Sequence, residues 1–300
     1  MLDVIIIGGS YAGLAAAIQL GRARRSVLIV DAGKRRNRRA HHAHGFLGQD
    51  GVPPGVIAEK GRAEALAYPT VSYREASATA ARVVPGGFSV EVEAEVLSAK
   101  RLILATGVVD VLPEIPGLSE RWGDSVFHCP YCHGYELNRG RVGIIATIPA
   151  AAHLPILASE WGAPGRNVFF SNGAFEPDAE QLAELAAREI SVEREPIVAI
   201  EGELPEVAVR LQSGRVERFV GLFLASSTRL AQPFAEQLGC ELEAGPVGSF
   251  YKTDMMKETT VRGVFACGDA GLAMGSVSFA VADGVRAGVS AHASLVFRRE

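Results

Sequence analysis

The sequence predicts an α/β fold of two domains, one inserted into the other, on three observations. First, Val4-Ile5-Ile6-Ile7 is a short β-branched run suited to a strand buried on both faces, Gly8 to Gly13 turns the chain, Leu14 to Arg22 suits a helix, and Val27-Leu28-Ile29-Val30 is a second strand. Such a βαβ unit, about 30 residues long, makes its two strands parallel. Second, Pro113 and Pro116 give Val111 to Gly117 the character of an extended linker, after which a new strand–turn–helix begins at Val142-Gly143-Ile144-Ile145. Third, a glycine/proline break at Gly245 to Gly248 returns the chain to a last strand, Val264-Phe265-Ala266, and a final helix from about Ser276 to Val296. The outer domain is therefore expected to join residues 1–112 to 247–300, with 113–246 as the insert.

The elements between follow the same signals. A basic stretch runs from Lys34 to His44, and Pro53-Pro54 opens a helix reaching about Ala67, since proline is tolerated in a first turn. Val71 to Leu104 reads as a β-meander with Pro85-Gly86-Gly87 as its hairpin turn, ending in Leu102-Ile103-Leu104 before Ala105-Thr106-Gly107. Within the insert, Val168-Phe169-Phe170 is a strand, Asp178 to Glu189 a helix, and Ile197 to Leu224 a set of antiparallel strands.

Composition excludes several classes of function. Forty-eight per cent hydrophobic residues over 300 positions is too apolar for a disordered chain and allows about two cores. Thirty Lys and Arg against thirty-four Asp and Glu leave a net charge of −4, so no basic field is available for nucleic acid. No apolar run approaches the ~20 residues that span a bilayer, and Gly8-Gly9 interrupts the opening apolar run too early for a signal peptide. A cytoplasmic protein is expected. Four cysteines are too few for a secreted disulfide scaffold, and two of them, Cys129 and Cys132, form a Cys-x-x-Cys pair that in a reducing compartment favours redox chemistry or metal binding.

Gly8-Gly9-Ser10-Tyr11-Ala12-Gly13 matches G-x-G-x-x-G with Ser10 in the middle glycine's place. Gly8 allows the sharp turn, Gly13 allows the helix to sit close to the strand, and the helix N-terminus offers its amides to a pyrophosphate. Asp31 closes the second strand, where a carboxylate accepts a hydrogen bond from a ribose hydroxyl. Any tight strand–helix turn favours glycine, but here a strand precedes the turn, a helix follows it and an acid stands at the expected distance. The segment is read as a dinucleotide site.

Two later segments, Ala105-Thr106-Gly107 and Gly263-Val264-Phe265-Ala266-Cys267-Gly268-Asp269, complete a pattern. With the first turn and the Cys-x-x-Cys insert, the chain resembles the low-molecular-weight thioredoxin reductases, two-domain flavin disulfide reductases, over nearly its whole length. The resemblance implies an FAD-binding three-layer ββα domain interrupted by a second Rossmann-like, NADPH-domain-like domain carrying the dithiol, and a homodimer. It also implies FAD as cofactor, with Gly8, Ser10, Ala12, Gly13, Asp31, Thr106, Gly107, Gly268 and Asp269 as contacts, and His44 and Gln49 beside the flavin ring.

Cys129-Pro130-Tyr131-Cys132-His133-Gly134-Tyr135-Glu136 is the chemical centre. Two cysteines three apart close a small ring that opens and re-forms without large backbone motion. The resemblance implies that Cys132 faces the flavin and Cys129 exchanges with an outside substrate. His133 stands where thioredoxin reductases carry an aspartate, and an imidazole near neutral pKa suits a general acid/base. A zinc site and an inert core pair remain alternatives, although the two cysteines with His128 and His133 are too close in sequence to wrap a tetrahedron alone. Cys267 reads as a packing residue, and no metal is expected at His41, His42 and His44.

The insert departs from the reductase pattern where NADPH would bind. Its Gly-rich turn is replaced by Ala146-Thr147-Ile148-Pro149-Ala150-Ala151, and the expected His-Arg-Arg by Ser171-Asn172-Gly173, which offers no cation for a 2′-phosphate. NADPH is therefore disfavoured. The dithiol motif is closer to a branch that includes the dithiol oxidases of the gliotoxin and holomycin pathways, in which dioxygen takes the electrons. A second pyridine-nucleotide-independent branch uses ferredoxin. The implied partners are a thioredoxin-like protein or a small-molecule dithiol, with ferredoxin or dioxygen as electron partner. The basic residues Lys34, Arg35, Arg36, Arg38 and Arg39 form either a solvated loop with one or two arginines near the FAD phosphates or a docking patch for an acidic protein donor.

Overall fold

The computed structural model describes residues 1–148 and 153–298. The chain divides into two compact units: Met1–Arg38, Phe46–Val109 and Thr228–Glu300 form the first, and Arg39–Gly45 with Asp110–Ser227 the second.

The first unit opens with β1 (Leu2–Ile7), α1 (Tyr11–Arg22), β2 (Val27–Asp31), α2 (Pro54–Leu66), β3 (Val71–Glu75), β4 (Ala78–Val84), β5 (Gly87–Val92) and β6 (Glu95–Leu104). Only part of the Val71–Leu104 stretch is a meander. β4, β5 and β6 are antiparallel neighbours, but β3 lies parallel beside β2, from Val27 opposite Val71 to Asp31 opposite Glu75. The long strand β6 serves two sheet regions: its first half pairs with β5, and its second half pairs parallel with β1.

From β7 (Val108–Val111) the chain enters the second unit: α3 (Leu118–Arg121), β8 (Val126–Phe127), α4 (Pro130–His133), β9 (Val142–Ile145), α5 (Leu154–Ser159), β10 (Val168–Phe170), α6 (Ala179–Ala187), β11 (Ser191–Glu193), β12 (Ile197–Glu203), β13 (Glu206–Leu211), β14 (Val216–Phe219) and β15 (Gly221–Leu224). A five-stranded sheet, β11-β10-β9-β15-β8, is its centre, and β12-β13-β14 form a separate antiparallel sheet. The sequence expectation of antiparallel strands as far as Leu224 fails at β15, which pairs parallel with β9 and β8. All four residues of β15 are buried, as suits an interior strand covered on both faces. Helix α6 starts where Asp178 caps it: Gln181 N–H donates to Asp178 Oδ1 at 2.8 Å, and Gln181 Oε1 accepts from Asp178 N–H at 2.9 Å.

The return to the first unit comes at Thr228, within β16 (Ser227–Leu230) and before the break at Gly245–Gly248. Then follow α7 (Phe234–Leu238), β17 (Leu242–Ala244), β18 (Ser249–Tyr251), β19 (Val264–Ala266) and α8 (Val277–Phe297). β19 pairs parallel with β6 and completes a seven-stranded sheet. Ser276 caps α8 through its side chain. Helices α1 and α8 pack very closely, since a Cβ at Gly284 or Gly288 would strike the backbone of Ala12 or Ala16. No helix among the described residues is long and apolar enough to cross a membrane.

Candidate active site

Parallel pairing in register brings four strand ends to one sheet edge. Ile7 lies opposite Val30 and Leu104, and Leu104 lies opposite Ala266. Gly8, Asp31, Thr106 with Gly107, and Gly268 with Asp269 all follow from, or close, these strands, so register alone gathers most of the sequence-predicted contacts. Ligands bind open α/β sheets at such carboxyl ends.

The backbone there is shaped for close approach. Gly8 has φ +106°, and a Cβ on it would run into the carbonyl of Ala105. A Cβ on Gly13 would run into the carbonyl of Gly8. Ser10 precedes α1 in extended conformation and its side chain makes no capping hydrogen bond. Ala12 is buried against Gly268, whose φ is +67°. Asp31 accepts a hydrogen bond from the Tyr73 hydroxyl at 2.8 Å, and burial with this carboxylate pushes the Tyr73 pKa up to about 12. Asp269 meets Arg36 Nη1 at 3.0 Å. Gln49 belongs to the first unit, where its N–H donates to the Phe46 carbonyl at 2.9 Å.

His44 falls in the other unit from Gln49. Its segment, Arg39–Gly45, groups with the second unit, and its Nε2 lies 3.3 Å from Glu136 Oε1, just beyond the dithiol. The same segment is anchored by His41 Nε2 against Asp124 Oδ1 at 2.8 Å and by Arg39 donating to the Ser119 carbonyl.

In the second unit Cys129 and Cys132 are joined as a disulfide, with Cα atoms 5.3 Å apart. Pro130 opens α4, where its missing N–H costs nothing, and the short helix brings the sulfurs to the same side. His133, the last residue of α4, stacks on Phe127 with ring centroids 4.4 Å apart. Both of its ring nitrogens are buried without a well-formed hydrogen-bond partner. Burial drives its pKa down to about 4, against the pull of the Glu136 carboxylate and with help from His44. The ring is therefore neutral at physiological pH, and its pKa lies well below the near-neutral value that the sequence suggested for a general acid/base, because burial disfavours the charged form. Tyr131 is exposed and meets Trp161 edge-on at 5.0 Å, and Tyr135 is also exposed.

This depression carries a pH signature. The unfolded chain takes up the His133 proton near pH 6.5 and the folded chain only near 4. The stability contributed is complete above about 6.5 and is lost as pH falls towards 4, a change of roughly 3 kcal/mol. Denaturant unfolding at about pH 7 and about pH 4.5 checks this. His133→Phe should flatten that part of the acid dependence, and an unchanged slope would remove the assignment.

Where a second nucleotide would bind, side chains are already engaged. Thr147 Oγ1 donates to the Ala225 carbonyl, Ile148 packs on the core, and Asn172 Oδ1 accepts from Ile197 N–H at 2.9 Å. Nearby arginines meet acids, Arg194 with Glu176 and Arg215 with Glu193. Pro149, Ala150 and Ala151 lie outside the described residues.

Residues 2–154 match the pyridine nucleotide-disulphide oxidoreductase family. The chain belongs to that family. It is 32% identical to the thioredoxin reductase tcpT of Claviceps purpurea over 99% of its length and 95% of the relative's. Against the thioredoxin reductase sirT of Leptosphaeria maculans it is 34% identical, over 96% and 92%. The crystal structure of an oxidoreductase from Agrobacterium tumefaciens superposes with TM-score 0.94 and 52% identity, over 99% of both chains. As a thioredoxin reductase-like member of this oxidoreductase family, the chain is a flavin-dependent enzyme, and FAD is the cofactor the family implies.

Sequence reasoning missed the supporting residues of this pyridine nucleotide-disulphide oxidoreductase, Phe127 under His133, Tyr73 on Asp31 and Glu136 beside His44, and it named Arg36 without its partner Asp269. Glu136 stood in the quoted dithiol motif, but its partner lies 92 positions earlier, and only the fold joins them.

Proposed function

We propose that this chain is an FAD-dependent thiol–disulfide oxidoreductase of thioredoxin reductase type. It moves electrons between a dithiol or disulfide substrate, the Cys129–Cys132 pair and FAD, without normal use of NADPH. The observation that carries the reading is the closed Cys129–Cys132 disulfide followed by the half-buried, neutral imidazole of His133 stacked on Phe127.

Gly8, Ser10, Ala12, Gly13, Asp31, Thr106, Gly107, Gly268 and Asp269 would hold FAD. The fit rests on the two positions where an added Cβ would meet backbone and on the acid held at each end of the strand row. Bound there, the flavin supplies a two-electron carrier. His44, grouped with the dithiol unit, and Gln49 are proposed on resemblance alone.

The chain's own residues perform the exchange. A substrate thiolate attacks Cys129 Sγ, the Cys129–Cys132 bond breaks, and Cys132 leaves as thiolate. The second substrate thiol then attacks the mixed disulfide and releases Cys129, so the substrate becomes a disulfide and the enzyme a dithiol. His133 is the proposed relay beside the pair: with its pKa lowered to about 4 it would hold the proton that a substrate thiol loses only transiently and pass it at once to the sulfur that leaves. The run in reverse is a disulfide reductase.

The exposed Tyr131 and Tyr135, with Trp161 against Tyr131, offer aromatic surface beside the pair to a small dithiol or to a protein. The dithiol motif itself favours the dithiol oxidase variant, with dioxygen as electron acceptor. Reduction of a thioredoxin-like protein with ferredoxin or NADH as donor is the other outcome. A homodimer in the cytoplasm remains part of the proposal.

Anaerobic stopped-flow absorbance of the yellow protein decides among them. Dithiols are expected to bleach the flavin rapidly, NADPH is not, and air should restore the colour with release of peroxide. Saturable bleaching by micromolar-order NADPH would overturn the second-site reading.

A further inference from the structure

Lys257 carries two costs at one position. It is 5% exposed, although an ammonium is among the groups least often buried, and it has φ +65°, a left-handed conformation that disfavours every residue but glycine. Glycine would remove the second cost and methionine the first. A residue held against both is held by its surroundings, as at positions with a task.

Those surroundings bracket one turn. Asp283, 8% exposed on α8, places Oδ2 3.1 Å from Lys257 Nζ and accepts the Gly268 N–H at 3.0 Å. Lys257 Nζ also donates to the Gly271 carbonyl at 3.1 Å, and the Lys257 carbonyl accepts from Ala266 N–H at 3.0 Å. One end of the Gly268–Gly271 turn is thus tied to the carboxylate and the other to the ammonium, with Asp269 between them. Gly275 leaves room for the Asp269 carboxylate, since a Cβ there would strike it.

Stability alone does not explain the pair. Replacing a buried ion pair by apolar residues of similar volume is often neutral or stabilising. What such residues cannot supply is a fixed donor and acceptor at the two ends of a turn.

We infer that Lys257 and Asp283 act as positioning residues for the flavin nucleotide, fixing the Gly268–Gly271 turn so that Asp269 is presented at the sheet edge. The inference rests on the proposed role of Asp269 toward FAD.

The test measures FAD affinity of the flavin-stripped full-length chain by quenching of flavin fluorescence, beside the melting temperature of the same flavin-free protein. Wild type must bind FAD, and failure there overturns the proposed function itself, before any variant is read. Lys257→Met and Asp283→Asn are expected to weaken FAD by about 10- to 100-fold, the worth of a buried charged hydrogen bond. The apolar double variant Lys257→Met with Asp283→Leu guards against misfolding of the single ones. It should melt no lower than wild type without flavin and still bind FAD weakly. In an Asp269→Ala background the Lys257→Met penalty should vanish, because the two act through one contact. An undiminished penalty there, or equal FAD affinity in every variant, overturns the inference.

Discussion

Serine in place of Cys132 is expected to abolish thiol–disulfide turnover, by at least about a thousandfold, while the flavin stays bound. The reasoning is stoichiometric. Substrate oxidation needs a disulfide to receive two electrons, and a single thiol at Cys129 cannot form one within the chain. The variant retains an accessible attacking sulfur, so an activated aromatic disulfide should leave a stable mixed disulfide on Cys129, read as a mass increase on intact protein. Wild type should expel the same adduct by closing Cys129 onto Cys132. Turnover within about tenfold of wild type would remove the dithiol from the mechanism. The core should be undisturbed, since the elements around α4 are held by Phe127, Leu137 and Phe223 packing.

Alanine at Gly13 is expected to be the most damaging single methyl group in the first unit. Its Cβ would fall on the carbonyl oxygen of Gly8, and neither backbone can yield while β1 is paired on both sides. A loss of about 3 kcal/mol or more is expected, together with loss of bound flavin. Gly107 provides the control. It has φ +64° but open space where a methyl group would project, so in the flavin-free protein Gly107→Ala should cost only the left-handed strain of about 1–2 kcal/mol. Thermal melting of the flavin-free proteins compares the two stabilities, and the ratio of visible to ultraviolet absorbance reads flavin loss in Gly13→Ala. Equal losses for the two substitutions would show that close helix–strand approach at Gly13 is unimportant.

The first unit was largely legible in the sequence because local signals and tertiary structure agree there. The apolar run at Val4–Ile7, the glycines at 8 and 13 and the acid at Asp31 need only a parallel register to become one site edge. The pairing of two strands, one in each unit, escaped. Val71–Glu75 reads as the start of a meander because parallel and antiparallel strands share composition, and partner choice is settled by β2. Gly221–Leu224 follows three antiparallel strands yet crosses to β9, a switch that no residue type announces. The supports of the dithiol were hidden for a related reason. Phe127 stacks under His133 through a contact six residues apart, but His44 reaches Glu136 across 92 positions. Long-range polar pairs leave no periodic trace. The buried Lys257–Asp283 pair was missed outright, since a lysine beside methionines in a turn-rich stretch gives no sign of burial.

The small length Arg39–Gly45 has an engineering consequence. A clone encoding only 110–227 would omit Arg39, His41 and His44, and so would leave Asp124 and Glu136 without the partners found here. Excision of the dithiol module therefore requires grafting a distant heptapeptide as well. Severing the backbone on either side of that heptapeptide would turn one continuous polypeptide into pieces whose reassembly depends on concentration.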